Sequence, residues 1–415
     1  MTILYEPQMW GEEHAPFNAA LVATVLASYP GREVSFLAES GHLEIVRTLL
    51  GQERSRSVEW CPVPIAPRDC SQLKSRLPFE WRLCEAVLDK AQERAAGRIL
   101  ACNITLAGLT ALKAQLYKRS PQVETIIILH RIEALLASRR NRPLLCYANP
   151  ENLRYVVLGE AIRNEVVRLL PILDRHIAFM THPYLFPAAP EPSMAGAPIR
   201  LGFLGVGSAA KGFPTFCRLA DEVLGSVPNA TGKARFELVG HLDEGCRALL
   251  DTNPNWNRHG YVDFATYGTS FLPRNAYEER AKRLTYTVLP YDSASYRFTS
   301  SGAILDSLLH LKPCIVLRTE LFEDYFRQLG DIGYLCDSYE EMLDTVKSLV
   351  ADFPLDRYRE QCHNILQGRK RFEPAFVSEE LRSIGSRQID RDGIVSALLK
   401  WADCYRRVPS GRNPL

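Results

Sequence analysis

The sequence predicts an α/β protein built from two doubly wound parallel-sheet domains, on three observations. Short apolar runs of strand length alternate with amphipathic stretches of helical period along most of the chain. The runs are apolar throughout, as strands covered on both faces are, and do not alternate with polar residues. The pattern breaks once near the middle, at Phe186–Pro198, which reads FPAAPEPSMAGAP and has neither period.

In the first half, Thr2–Tyr5 reads as a strand. Phe17–Ser28 reads as a helix, with Phe17, Leu21, Val22 and Val25 on one face. Strand Val34–Leu37, helix His42–Leu50 and strand Val58–Val63 follow. Then come helix Trp81–Ala96, strand Arg98–Asn103, helix Leu109–Lys118 and the β-branched strand Glu124–Leu129. A long helical region separates the last of these from Arg175–Met180, which closes this half. The second half repeats the scheme: strand Ile199–Leu204, helix Pro214–Leu224 and strand Arg235–Val239, then helix Asn275–Arg283, strand Tyr286–Leu289, helix Ser301–Leu309 and strand Cys314–Leu317. Domains are therefore expected at 1–186 and 199–380, joined by a linker at 187–198. Residues 381–415 are expected to hold a final helix, Gly393–Arg407, that packs back on the first domain. Open α/β sheets bind ligands outside the carboxyl ends of their strands, so a cleft between two such edges is the expected site.

The 415 residues suffice for two domains. With 50 basic and 48 acidic residues the formal charge is +2, which gives no overall attraction for nucleic acid. The opening MTILYEPQMW has no basic-then-apolar signal pattern, and no apolar run nears the roughly 20 residues of a membrane span. The 11 cysteines are scattered singly, with no Cys-x-x-Cys pair, which suits a reducing compartment. The expectation is a cytoplasmic protein, with peripheral contact at the cytoplasmic membrane face as a further option.

Two stretches carry chemistry. The first, Gly205-Val-Gly-Ser-Ala-Ala-Lys-Gly-Phe213, follows the strand Ile199–Leu204. A glycine turn here, at Gly205 and Gly207, exposes backbone N–H groups to an anion, and Lys211 adds a full positive charge. The same residues suit a plain tight turn with a solvated lysine. They also spell the dinucleotide fingerprint, but that pattern needs an acidic residue at the end of the next strand, and Arg235–Val239 runs into Gly240-His241, with Asp243 only later. The second stretch runs from the strand end Leu289-Pro-Tyr291 through Tyr296 and Arg297 to Thr299-Ser-Ser-Gly302. Thr299, Ser300 and Ser301 are helix-capping types, and with Gly302 they can present donors to a phosphate. Asp306 lies about one turn further on, within reach of ribose hydroxyls; a capped helix with Asp306 on a solvated face fits the residues as well.

The order of Lys-Gly-Phe, a strand ending in glycine, His259-Gly-Tyr-Val262, a strand ending in Pro-Tyr, and Ser-Gly-x-x-x-Asp before Pro313 resembles the donor domain of GT-B glycosyltransferases, especially the large retaining family four. The resemblance covers about Ile199–Val350 and, more loosely, the two-domain layout. It implies that Lys211 contacts the donor diphosphate. Tyr261 and Val262 would line the base pocket, Ser300, Ser301 and Gly302 would bind phosphate, and Asp306 would bind ribose. Two positions depart from the pattern. Val206 stands where the family often carries arginine, and Phe298 where it carries the first of two glutamates; Tyr296 and Arg297 are the residues available to replace that contact.

In the first half, Gly11-Glu-Glu-His-Ala-Pro-Phe17 follows the first strand. His14 is the candidate general base on an acceptor hydroxyl, with Glu12 and Glu13 behind it, although a histidine there also suits a helix start. His130 ends the strand Glu124–Leu129, and in retaining relatives a histidine so placed lies against the donor sugar; a buried histidine capping the helix that follows fits the residues as well. His182 is read as structural, and Arg139, Arg140 and Arg142 as a solvated basic cluster. Asp390-Arg-Asp392 spells a metal motif but sits at a helix start, where capping explains it. Neither a metal nor a cofactor is expected, beyond a nucleoside-diphosphate sugar as co-substrate. The expected activity is transfer of a sugar to a hydroxyl on a glycan, a lipid-linked or a small-molecule acceptor, in polysaccharide or glycolipid assembly. A nucleotide-sugar epimerase, a non-catalytic partner subunit and an NAD-dependent oxidoreductase are the alternatives.

Overall fold

The structure is a computed structural model. It describes residues 1–70, 72–119, 122–130, 132–136, 138–139, 141–147, 149–186, 198–252, 272–291 and 296–386. The chain forms two compact units, one of Met1–Leu185 with the chain from Phe372 onward, the other of Phe186–Arg371.

The first unit holds a sheet of β1 (Thr2–Tyr5), β2 (Val34–Ala38), β3 (Val58–Pro62), β4 (Arg98–Ala101), β5 (Glu124–Ile128), β6 (Leu153–Val157) and β7 (Ile177–Phe179). Their order is β3-β2-β1-β4-β5-β6-β7, and every pairing is parallel. The strand direction of growth reverses between β1 and β4, the place where a doubly wound sheet opens a crevice. One face packs the fully buried helix side chains Leu21, Val22 and Val25 against Leu4, Phe36, Leu100, Ile126 and Val156. Each such side chain contributes about 1.5–3 kcal/mol of burial.

The second unit holds β8 (Ile199–Gly207), β9 (Ala234–Leu242), β10 (Tyr286–Leu289), β11 (Cys314–Leu317) and β12 (Gly333–Cys336), in the order β12-β11-β10-β8-β9 and all parallel. Its switch point lies between β8 and β10. Phe203, Phe213, Phe216 and Phe236 make a chain of edge-on and stacked rings through its core, with centroids 5.4–6.1 Å apart.

Three expectations need correction. The second unit ends at Arg371, not at residue 380. The helix Pro374–Ser386 carries Val377, Leu381 and Ile384 at helical spacing into the core of the first unit. Polar contacts fasten it there: Ser28 Oγ donates to the Ser378 carbonyl at 3.1 Å, and Thr181 gives its N–H and hydroxyl to Glu380 at 2.6 and 2.9 Å. A segment does return, but it begins at Pro374, ahead of residue 381; Gly393–Arg407 lies outside the described residues. Second, the stretch read as one long helical region contains β6, whose Leu-Arg-Tyr-Val-Val sequence is better suited to a strand. Third, β8 and β9 extend to Gly207 and Leu242, so Gly205 and Gly207 are strand residues and not a turn. Gly205 faces Gly240 in register, and a Cβ on Gly240 would fall 1.8 Å from the Gly205 carbonyl oxygen. Gly240 against the Gly205 backbone and Gly207 against the Leu242 side chain let the two strands approach; the spacing of Gly205 and Gly207 imitates a phosphate-binding turn.

Candidate active site

In the second unit, the true turn after β8 is Ser208–Gly212. It satisfies its own amides: Lys211 N–H reaches Ser208 Oγ at 3.3 Å, Gly212 N–H the Ala209 carbonyl at 2.9 Å, and Phe213 N–H the Ser208 carbonyl at 3.0 Å. Gly212 caps the helix Phe213–Ser226 with φ +72°, and a Cβ there would meet the Pro290 carbonyl oxygen at 1.8 Å. Only glycine fits this position, and its fit brings the turn after β8 against the end of β10.

That approach gathers the predicted residues. Lys211 is half-buried, its ammonium 3.4 Å from where a Cβ on Gly205 would stand. Burial lowers its pKa, and attraction to Asp306 offsets part of the shift. Among the described residues the ammonium makes no hydrogen bond and no ion pair. His241, on β9, has its pKa lowered by burial and by Lys211. Asp306 accepts from Tyr277 Oη at 2.7 Å and sits on the helix Gly302–Leu309. That helix is capped by Ser301, whose Oγ accepts from Ile304 N–H at 3.4 Å and pairs with Tyr291 Oη at 2.9 Å. Ser300 Oγ is buried with no hydrogen-bond partner among the described residues. Tyr296 packs on Tyr291 with ring centroids 4.2 Å apart, and the Arg297 guanidinium lies 5.4 Å from the centroid of the Phe298 ring. Tyr261 and Val262 lie outside the described residues, as do Asp390 and Asp392.

In the first unit, the predicted residues also meet. His14 precedes the helix Ala15–Ser28 in the left-handed conformation, φ +53°. That conformation costs a non-glycine residue roughly 1–2 kcal/mol and persists only where the surroundings fix it. His130 follows β5, and its ring centroid is 4.3 Å from that of His14. Phe17 touches His130 at 4.8 Å and His182 at 5.0 Å, and His182 lies 5.7 Å from His130. His182, read from the sequence as structural, thus belongs to the same ring cluster. It is 5% exposed, and burial, with His14 nearby, lowers its pKa to about 4.

Sequence reasoning missed Glu6, Asn18 and His42. All three are buried at the carboxyl edge of the first sheet, and burial raises the Glu6 pKa to about 7. The available signals were slight: Glu6 directly follows a strand, and Asn18 interrupts an apolar helix. Of the basic cluster, Arg139 is exposed and Arg142 Nε donates to the Leu136 carbonyl at 3.0 Å; Arg140 lies outside the described residues. Among the described residues no helix is long and apolar enough to cross a membrane.

No protein-family model matches the chain, and no curated protein matches it. Solved structures do. OtsA, a trehalose-6-phosphate synthase, aligns with TM-score 0.65 and 12% identity over 94% of this chain and 100% of its own. WaaG, a glycosyltransferase involved in lipopolysaccharide biosynthesis, aligns with TM-score 0.57 and 11% identity over 93% of this chain and 100% of its own. A mutant of TarM from S. aureus, in complex with fondaparinux, α-GlcNAc-glycerol and UDP, aligns with TM-score 0.53 and 12% identity over 75% of this chain. The chain spans 59% of the length of TarM. At such identities the likeness is one of fold, and it agrees with the two parallel sheets: the chain has the GT-B glycosyltransferase fold.

Proposed function

We propose that the protein is a glycosyltransferase that takes a nucleoside-diphosphate sugar on its second unit and transfers the sugar to a hydroxyl acceptor. The observation that carries this reading is Lys211, a half-buried cation without an ion-pair partner among the described residues, placed after β8 beside the switch point of its sheet. Asp306 and the helix start at Ser300–Gly302 come from the other side of that point, after β10. An anion there gains a charge-assisted hydrogen bond, about 1.5–3 kcal/mol, and the partial charge of a helix N-terminus.

In the proposed reaction the bond from the anomeric carbon to the diphosphate oxygen breaks, and its electron pair leaves on the diphosphate. Lys211 and the amides at Gly302 stabilise that developing charge. The acceptor oxygen bonds the anomeric carbon, and its proton passes to an imidazole nitrogen, with His14 the candidate base and His130 its neighbour. Asp306 binds the ribose, and Tyr261 and Val262 the base. The neighbouring structures crystallised with UDP support a uridine donor, and a lipopolysaccharide enzyme among them supports a role in glycan or glycolipid assembly.

The test is calorimetric titration of the full chain with UDP, GDP, ADP and NAD. Binding of one diphosphate, lost in Lys211→Ala, is expected. A folded protein that binds none of the diphosphates would sink the proposal in favour of a non-catalytic subunit, and binding of NAD alone would favour an oxidoreductase.

A further inference from the structure

The loop from Glu6 to His14 is held by carboxylates on its peptide N–H groups. Glu6 accepts from Gln8 N–H at 3.0 Å. Glu13 accepts from Trp10 N–H at 3.3 Å. Glu39 is the cap of the helix Ser40–Leu50, where it takes Gly41 and His42 N–H, both at 2.8 Å. The loop carbonyls are held as well. Arg76 Nη2 donates to Pro7 at 3.3 Å, and His42 Nδ1 lies 2.8 Å from the Gly11 oxygen.

The Gly11 contact fixes the tautomer of His42. A carbonyl only accepts, so Nδ1 carries the proton and Nε2 is left as an acceptor. Asn18 Nδ2 lies 2.8 Å from that Nε2 and 3.1 Å from Glu6 Oε2, so one amide group supplies a hydrogen to each. Asn18 and His42 are both fully buried, and burial lowers the His42 pKa, which keeps the ring neutral. The two anchors of the loop, Glu6 and His42, are thus joined through one side chain.

We infer that His42 is a positioning residue: through the Gly11 carbonyl, with Asn18 donating to its other ring nitrogen, it fixes the loop that places His14. The inference rests on the reading of His14 as the base. The geometry explains how His14 keeps its left-handed backbone. Downstream the helix holds it, since Asn18 N–H donates to the His14 carbonyl at 3.0 Å. Upstream, Gly11 at φ +54° is held at its carbonyl by His42. Without that grip the loop regains backbone freedom of about 1–2 kcal/mol per residue, more than enough to release a strained conformation.

The experiment uses the full chain with histidine labelled in its ring nitrogens, plus hydrogen exchange of the peptide covering residues 8–14. His42→Phe keeps a ring and removes both hydrogen bonds; His42→Asn places an amide donor near Nδ1 and retains the one to Gly11. In the wild type, amides 8–14 should exchange about tenfold or more slower than the exposed turn 31–33. His42→Phe should erase that protection and shift the His14 ring signals, and His42→Asn should restore most of both. A wild-type loop that exchanges like the exposed turn overturns the inference even if His42→Phe does not fold. Unchanged His14 signals in a folded His42→Phe also overturn it, as does failure of His42→Asn to restore them. UDP affinity, measured on the same samples, reports the glycosyltransferase reading separately: it should stay within about twofold across the variants, and its absence from the wild type would weaken that reading while leaving the loop result standing.

Discussion

The ammonium of Lys211 stands over Gly205, where an added Cβ would lie 3.4 Å from Nζ. The glycine leaves the room that the lysine occupies, at the carboxyl end of β8. A cation held there against a burial cost, with no ion pair among the described residues, is a stability liability, which the proposed donor site accounts for. Lys211→Met should therefore melt no lower than the wild type, while diphosphate affinity falls about tenfold to a hundredfold. Calorimetric melting and titration on the same samples check both halves. A large loss of melting temperature would mean that the lysine serves the fold.

Adjacent serines at the helix start should behave differently. Ser301 caps Ile304 N–H and pairs with the buried Tyr291 hydroxyl. Ser301→Ala should cost about 2 kcal/mol, from the lost cap and the orphaned hydroxyl together. Ser300 Oγ has no partner among the described residues, so Ser300→Ala should stay within about 0.5 kcal/mol of the wild type. Urea unfolding of the two variants distinguishes them.

Gly240 has φ +152°, and a Cβ there would collide with the Gly205 carbonyl oxygen at 1.8 Å. Gly240→Ala should cost about 3 kcal/mol or more, or leave the chain unfolded, because β8 and β9 cannot separate without losing their ladder. Gly31, at φ +75° with nothing within 4 Å, provides the control: alanine there carries only backbone strain, about 1–2 kcal/mol. Equal losses at the two sites would contradict the close approach of the strands.

His182 fixes a pH dependence. Its pKa is lowered from 6.5 to about 4 by burial, so the unfolded chain takes up a proton before the folded one does. The stability it contributes is whole above pH 6.5 and is lost as pH falls toward 4, by a total of about 3 kcal/mol. His182→Phe keeps a ring beside Phe17 and His130 and should make the acid-side decline shallower by about that amount. Denaturant midpoints at about pH 7, 5.5 and 4 measure it.

Much of the scaffold was legible. The strand Cys314–Leu317 matches the prediction residue for residue, and the helix start at Ser301 was visible as a run of capping types before an apolar stripe. Gly205 and Gly207 misled because glycine marks both turns and close strand contacts, and local sequence does not distinguish them. The crossing at Phe372 was misplaced because Val377, Leu381 and Ile384 form an ordinary apolar stripe, which does not name the core it enters. Glu6, Asn18 and His42 were overlooked because their importance lies in contacts 12 to 31 residues apart.

The sequence by itself determined that the strands are parallel and doubly covered, that Lys211 follows β8, that a capped helix begins at Gly302, and that His14 and His130 follow strands of the first sheet. Periodicity and capping are local, so they survive in one dimension. Only the tertiary structure decided the strand order, the desolvation of Lys211 beside Asp306, the meeting of His14, His130 and His182, and the grip of His42 on Gly11. Those depend on which distant residues share a neighbourhood, and it is that neighbourhood, through burial and nearby charge, that sets the chemistry of each side chain.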